Sequence, residues 1–203
     1  MLTSRYKPFL NALFEPVARL IARSGVSPST ITLLGPVLTS IVCLVFLRTR
    51  AVLPFCGAML AVGLLDGLDG AVARVSGRVT HVGAYLDAIC DRYVEALAVC
   101  SAAAVTGYWS LSMLALVGAL LVSYAKARAA MEVAVSNQEW PDLMERTERG
   151  LLFLAGLAAS ALLPWRPLGR DLFWWTLLTL AVLTHLTVLQ RVLRARRFIL
   201  TRQ

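Results

Sequence analysis

Apolar residues in this chain run in long stretches with few interruptions. Ser24–Leu47, Ala51–Leu65, Ala96–Ala125, Gly150–Trp165 and Leu172–Gln190 carry no Asp, Glu, Lys or Arg, and roughly 20 mainly apolar residues are enough to cross a bilayer as a helix. The run from Ala96 is too long for one crossing. The segment "TGYWS", residues 106–110, divides it with a glycine and interfacial aromatics. The pattern therefore predicts an all-α integral membrane protein with six transmembrane helices at about 30–47, 52–74, 83–105, 109–128, 149–165 and 172–192. Residues 24–203 read as one six-span domain, without internal repeats or low-complexity tracts. Ahead of it, residues 1–23 place Phe9, Leu13, Val17, Leu20 and Ile21 at helical spacing, with Arg19 and Arg23 elsewhere on the turn. This is the pattern of an amphipathic juxtamembrane helix lying on the inner leaflet. "GVSPSTIT" then combines a turn with a helix start, Ser27 or Ser29 serving as N-cap.

Composition agrees with the pattern. The 203 residues are 58% hydrophobic and 16% charged, against about 25% charged in soluble domains, and mean hydropathy is +0.70. Lys and Arg collect on the cytoplasmic side of membranes. With both termini cytoplasmic, the outer loops hold only Arg48, Arg50, Arg166 and Arg170, and the other 16 of 20 basic residues face inward. The longest polar segment, "AAMEVAVSNQEWPDLMERTERG", is then a cytoplasmic loop. Tyr108, Trp109, Trp165, Trp174 and Trp175 form an aromatic belt near the outer ends. The net charge of +8 is spread over span ends, with no soluble domain to present it. Anionic membrane lipid, not nucleic acid, is the partner it suits. Cys43, Cys56, Cys90 and Cys100 lie in apolar helices without C-x-x-C pairing and read as packing residues. The first 23 residues hold four basic residues and two prolines without a continuous apolar core, unlike a cleavable signal peptide.

Against this background the stretch 64–96 stands out, because it carries Asp66, Asp69, Asp87, Asp91 and Glu95. A charge at mid-bilayer costs roughly 2.5–3.5 kcal/mol on insertion scales, so four aspartates facing lipid would cost on the order of 10 kcal/mol. Helical spacing says where they point. Asp66 and Asp69 are i and i+3 on the second span, and Gly83, Asp87, Asp91 and Glu95 recur every four residues on the third. With a short turn around Gly77, the two spans are expected to be antiparallel neighbours whose acidic faces meet near the cytoplasmic interface. Converging carboxylates in low dielectric stay ionised only beside a cation, and an all-oxygen ligand set favours Mg²⁺ or Mn²⁺ over zinc or copper. His81 is the one nearby nitrogen donor, and as a turn residue it reads as a solvated or phosphate-adjacent side chain. Gly67, Gly70, Ala71, Ala73, Gly83 and Ala84 leave room for close helix packing or for a bulky ligand. The bland alternative is an ion-pair network of the aspartates with Arg74, Arg78 and Arg92. Buried pairs, however, barely offset their own desolvation.

Written as a pattern, the residues are Asp66-x-x-Asp69-Gly70-x-x-Ala73-Arg74, eight residues, Gly83-x-x-x-Asp87-x-x-x-Asp91. This resembles, position for position, the signature D-x-x-D-G-x-x-A-R-(x8)-G-x-x-x-D-x-x-x-D of the CDP-alcohol phosphotransferases. Six spans, a juxtamembrane helix and a length near 200 also look like that family. The resemblance implies transfer of a phosphatidyl-type group from a CDP-linked lipid, CDP-diacylglycerol or CDP-archaeol, to an alcohol, with release of CMP. By motif match, Asp66, Asp69 and Asp87 would hold two divalent ions, with Asp91 a further ligand and the general base. Asp69, Gly70, Ala73, Arg74 and Gly83 would line the CDP site. The family also implies a homodimer in the cell membrane, its active site facing the cytoplasm.

For the acceptor, "SYAKARAA" ends the fourth span, "ERTERG" opens the fifth, and Arg191 sits where the sixth leaves the membrane. Lys126, Arg149 and Arg191 can converge from three helices, and such a basic trio suits a phosphorylated alcohol. These segments are similar to the K-A-R-A-E and E-R-x-E-R segments of phosphatidylinositol phosphate and archaetidylinositol phosphate synthases, where the matching basic residues bind inositol phosphate. Here Ala130 stands where that subgroup has Glu. The alternative for the trio is headgroup anchoring, the role also read for Arg194, Arg196 and Arg197. Glycerol 3-phosphate, serine and inositol are the other acceptors the pattern admits. Two other classes share part of the pattern. A membrane prenyltransferase also grips a diphosphate through Mg²⁺ and helix-borne aspartates, but its N-D-x-x-D pattern is absent. A cation- or proton-coupled transporter carries its carboxylates near the midplane, whereas these lie toward the cytoplasmic ends.

Overall fold

The computed structural model describes residues 14–132 and 143–202, and these are helical with short connections and no strands. The first helix, α1, covers residues 14–23. It is followed by α2 (Pro28–Thr49), α3 (Val52–Val75), α4 (His81–Thr106), α5 (Trp109–Glu132), α6 (Arg146–Leu162) and α7 (Leu172–Arg202), with a one-turn 3₁₀ helix, Pro167–Gly169, before the last. Phe9, Leu13 and the middle of the long polar loop lie outside the described residues. The chain divides between Thr106 and Gly107 into two compact units.

Each predicted span is a helix, and the boundaries have local causes. Ser27, not Ser29, caps α2. Its hydroxyl accepts from the Thr30 N–H at 3.2 Å, and Pro28 takes the first helical position, where its missing N–H costs nothing. The α3–α4 turn passes through Gly77 at φ +65° and the α4–α5 turn through Gly107 at φ +80°, a backbone region that favours glycine. Thr80 starts α4 by accepting from the Gly83 N–H at 3.0 Å. Four helices, α2, α3, α5 and α7, are long and apolar enough to cross a membrane. The carboxylate-rich α4 and the 17-residue α6 fall outside that measure. α7 runs about ten residues past the predicted span end. At 1.5 Å per residue its 31 residues reach about 46 Å, longer than a hydrocarbon core of about 30 Å.

In the first unit α2 is the hub. Its buried positions Thr32, Thr39, Cys43 and Phe46 recur at helical spacing, and α3 and α4 both pack along it. Phe46 stacks on Phe55 of α3 with ring centroids 4.1 Å apart. The expected α3–α4 pairing is therefore modified. These two helices share no extended seam, because α2 takes the apolar faces of both. α1 packs on α3 through Phe14, Ala18, Ile21 and Ala22, gathered around Ala71 and Val72. Val17 and Leu20 of the predicted apolar face are 46% and 70% exposed, pointing away from the protein.

In the second unit α7 is the hub, packed on by α5 and α6. Its buried stripe is Phe173, Leu177, Leu180, Ala181, Thr184, Thr187 and Arg191, spaced by three or four residues apart from the adjacent pair Leu180 and Ala181. Gly118 of α5 and Gly156 of α6 let the helices close on it. A Cβ on either would fall inside contact distance of Thr184 or Thr176. Asp171 caps α7, accepting from the Trp174 N–H at 2.9 Å and from the Tyr108 hydroxyl at 2.8 Å. Burial, then the hydrogen bond and charge of Asp171, push the Tyr108 phenol up from its ordinary pKa.

Candidate active site

The C-terminal half of α3 carries Asp66 and Asp69 one turn apart, and the second turn of α4 carries Asp87. One oxygen from each of these three carboxylates lies within 4.8 Å of the other two. Asp69 is buried, while Asp66 and Asp87 are half-buried and reachable from outside. Asp69 is held on both oxygens. Its Oδ2 accepts from the Thr32 hydroxyl of α2 at 2.5 Å, and its Oδ1 accepts from the Gly70 N–H. The donors are all hard oxygens close enough to share an ion, so the residues present fit Mg²⁺ or Mn²⁺. His81, exposed at the first position of α4, is not in this group.

Asp91, expected as a further ligand, stands one turn beyond the trio. It is buried, with Arg92 Nη2 3.6 Å from its Oδ2, and Arg92 Nε in turn lies 3.9 Å from Glu95. Geometry thus separates the trio from a fourth carboxylate held beside a cation. That separation suits a division between ion binding and proton transfer. Of the expected nucleotide-site residues, Gly70, Ala73 and Gly83 are half-buried and Arg74 is exposed. A side chain at Gly70 would meet Arg74 Nη1 at 3.3 Å, so the glycine leaves that guanidinium room against the backbone.

In the second unit, Arg149 and Arg191 are 4% and 5% exposed, a degree of burial seldom seen for arginine. The cause is the helix pattern. Arg149 opens the buried stripe of α6, Arg149-Phe153-Gly156-Leu157, and Arg191 closes that of α7. Arg191 donates to the Val122 carbonyl of α5, one turn before Lys126, and Arg149 donates to the Met144 carbonyl at 3.5 Å. Lys126 is half-buried. The glutamates of "ERTER" have a separate task, because Glu145 and Glu148 form a capping box that starts α6 and so sets where Arg149 points.

A family model described as CDP-alcohol phosphatidyltransferase matches residues 25–197. The chain belongs to that family. An archaetidylinositol phosphate synthase of Pyrococcus horikoshii is 31% identical over 198 residues, covering 96% of both chains. Among solved structures, the phosphatidylinositol phosphate synthase of Mycobacterium tuberculosis with CDP-DAG bound superposes with a TM-score of 0.78 at 28% identity, covering 91% of this chain and 94% of that one. The same synthase in complex with manganese and citrate gives a TM-score of 0.79 at 28% identity, covering 90% and 88%. Family membership together with the apolar helices makes the chain a multi-pass membrane protein.

Thr32 escaped the sequence reading. It lies 37 residues from the aspartate it touches, outside the signature, and one more hydroxyl in an apolar span carries no periodic signal. Its only trace is that Thr32, Thr39 and Cys43 share a helix face.

Proposed function

We propose that this protein transfers a phosphatidyl-type group from a CDP-linked lipid to inositol phosphate, releasing CMP, in phospholipid biosynthesis. The observation that carries the reading is the trio Asp66, Asp69 and Asp87, three signature carboxylates with oxygens within 4.8 Å of one another. The relatives named as inositol phosphate synthases support the acceptor, as do two buried arginines on the segments that resemble theirs.

In the reaction the acceptor hydroxyl attacks the lipid-bearing phosphorus. A new P–O bond forms, the bond to the bridging oxygen breaks, and CMP departs with that bond's electrons. Asp66, Asp69 and Asp87 would hold two Mg²⁺ or Mn²⁺ ions, which neutralise charge building on the diphosphate. Gly70, Ala73, Arg74 and Gly83 receive the nucleotide against helix backbone. Asp91 takes the hydroxyl proton, and Arg92 beside it keeps its carboxylate in place. Lys126, Arg149 and Arg191 bind the acceptor's phosphate, where guanidinium forks match its oxygens. The protein is a six-span homodimer of the cell membrane, with termini and active site cytoplasmic and anionic lipids around its basic ends.

The test is a purified-protein assay for CMP, supplying CDP-diacylglycerol with each acceptor in turn. CMP release that needs CDP-lipid, inositol phosphate and a divalent ion together is expected. Turnover with glycerol 3-phosphate, serine or inositol, and none with inositol phosphate, would overturn the acceptor. CMP release undiminished in strong chelator would overturn the cluster's role. Asp91→Asn should abolish turnover while CDP-lipid binding holds. Lost binding with normal turnover of the residual complex would remove the base assignment.

A further inference from the structure

Most threonines in these helices satisfy their hydroxyls locally. Thr49, Thr106, Thr176, Thr179 and Thr187 each donate to the carbonyl four residues back at 2.7–2.9 Å. Thr32 departs from that habit. Its back-bond to the Pro28 carbonyl is stretched to 3.2 Å, and Asp69 Oδ2 lies at 2.5 Å. A hydroxyl has one proton to give. The shorter distance is that of an O–H···O⁻ bond, roughly twice as strong as a neutral one, so the proton goes to Asp69.

We propose that Thr32 is a positioning residue for the carboxylate cluster: it sets the orientation of Asp69 and thereby the cluster's affinity for a divalent cation. The inference rests on reading the trio as a cation site. Three features favour it over a merely structural hydrogen bond. Thr32 is 5% exposed and Asp69 7%, so water does not compete for either partner. The hydroxyl is held by a fixed backbone, one turn into a helix whose start is locked by the Ser27 cap and Pro28. As a β-branched residue, threonine also has few rotamers to choose from in a helix. Finally, with Oδ2 held by Thr32 and Oδ1 by the Gly70 N–H, the plane of the carboxylate is determined from both sides. Its remaining lone pairs then have fixed directions toward the oxygens of Asp66 and Asp87. Outer hydrogen bonds of this kind typically change metal affinity 10–100-fold.

The experiment is direct Mn²⁺ binding, followed by electron paramagnetic resonance, on the full chain purified in detergent and stripped of divalent ions. Thr32→Val keeps shape and removes the donor; Thr32→Ser keeps the donor. The valine variant should weaken Mn²⁺ binding about tenfold or more, and the serine variant less than about threefold. In turnover assays, the Mn²⁺ concentration for half-maximal rate should rise in Thr32→Val, while the rate at saturating Mn²⁺ recovers. Should valine prevent folding, Thr32→Ala makes the same comparison. Mn²⁺ affinity within twofold of wild type in the donor-less variant, with Asp69→Asn clearly weakened, overturns the role of Thr32. Unchanged affinity in Asp69→Asn as well overturns the cation site itself.

Discussion

Removing one charge from the trio has two consequences of opposite sign. Asp87→Asn keeps the shape of the side chain and deletes one of three negative groups whose oxygens approach within 4.8 Å. At an effective dielectric of about 20, each pair at that distance repels by about 3 kcal/mol. Asp87 belongs to two such pairs. Water around the half-buried Asp66 and Asp87 screens most of this, and neighbouring groups absorb more, which leaves a net relief of about 1 kcal/mol. Metal-free Asp87→Asn is therefore expected to melt slightly higher than the metal-free wild type. With a divalent ion present the order reverses. Binding at 100 times Kd stabilises the wild type by about 2.7 kcal/mol, and the variant, short of one ligand, gains far less. Thermal unfolding in detergent, with chelator and then with increasing Mn²⁺, measures both effects on the same sample. A variant that is destabilised in chelator yet rises with Mn²⁺ as much as wild type refutes the reasoning, because Asp87 would then be a structural residue.

Lys126→Ala should raise the Michaelis constant for the acceptor about 10–100-fold, the loss of one charge-assisted hydrogen bond, with little change for CDP-lipid; an equal effect on both removes the phosphate pocket. Gly118→Ala and Gly156→Ala should each cost about 1–3 kcal/mol from overpacking, since a Cβ would stand 2.8 Å from Thr184 Cβ in the first and 2.5 Å from Thr176 Cβ in the second. Gly57→Ala, with open space around it, should instead be neutral or stabilising by up to about 1 kcal/mol, and melting temperatures distinguish the cases. Tyr108 holds its proton more tightly folded than unfolded. Its contribution to stability is therefore complete below about pH 10 and lost as the pH rises through the raised value. Tyr108→Phe should be less stable by about 1 kcal/mol at neutral pH and lack that alkaline loss, which melts between pH 8 and pH 11 would detect.

Helix content and the candidate site were legible because both rest on patterns local in sequence. A charge-free run falls in every helix from α2 to α7, as expected where a backbone in lipid must bond within its own helix. The signature from Asp66 to Asp91 needed only spacing to be read, because one helix face repeats every three or four residues. Lys126, Arg149 and Arg191 were legible as residues, but their burial was not. That depended on two arginines falling in register with the buried stripes of α6 and α7. Which helix serves as hub was equally invisible, because an apolar span does not name the partner it packs on. Val17 and Leu20 of α1 were read as an apolar face for the membrane, and that pattern gave no sign that Ala18, Ile21 and Ala22 would meet α3. Small residues allow close approach, and hydrophobicity alone does not register that. Composition and spacing thus determined that this chain is a membrane protein with a carboxylate site. Tertiary structure decided that the oxygens of Asp66, Asp69 and Asp87 come within 4.8 Å of one another and that a threonine from a distant helix bonds one of them, because those facts depend on distances between helices.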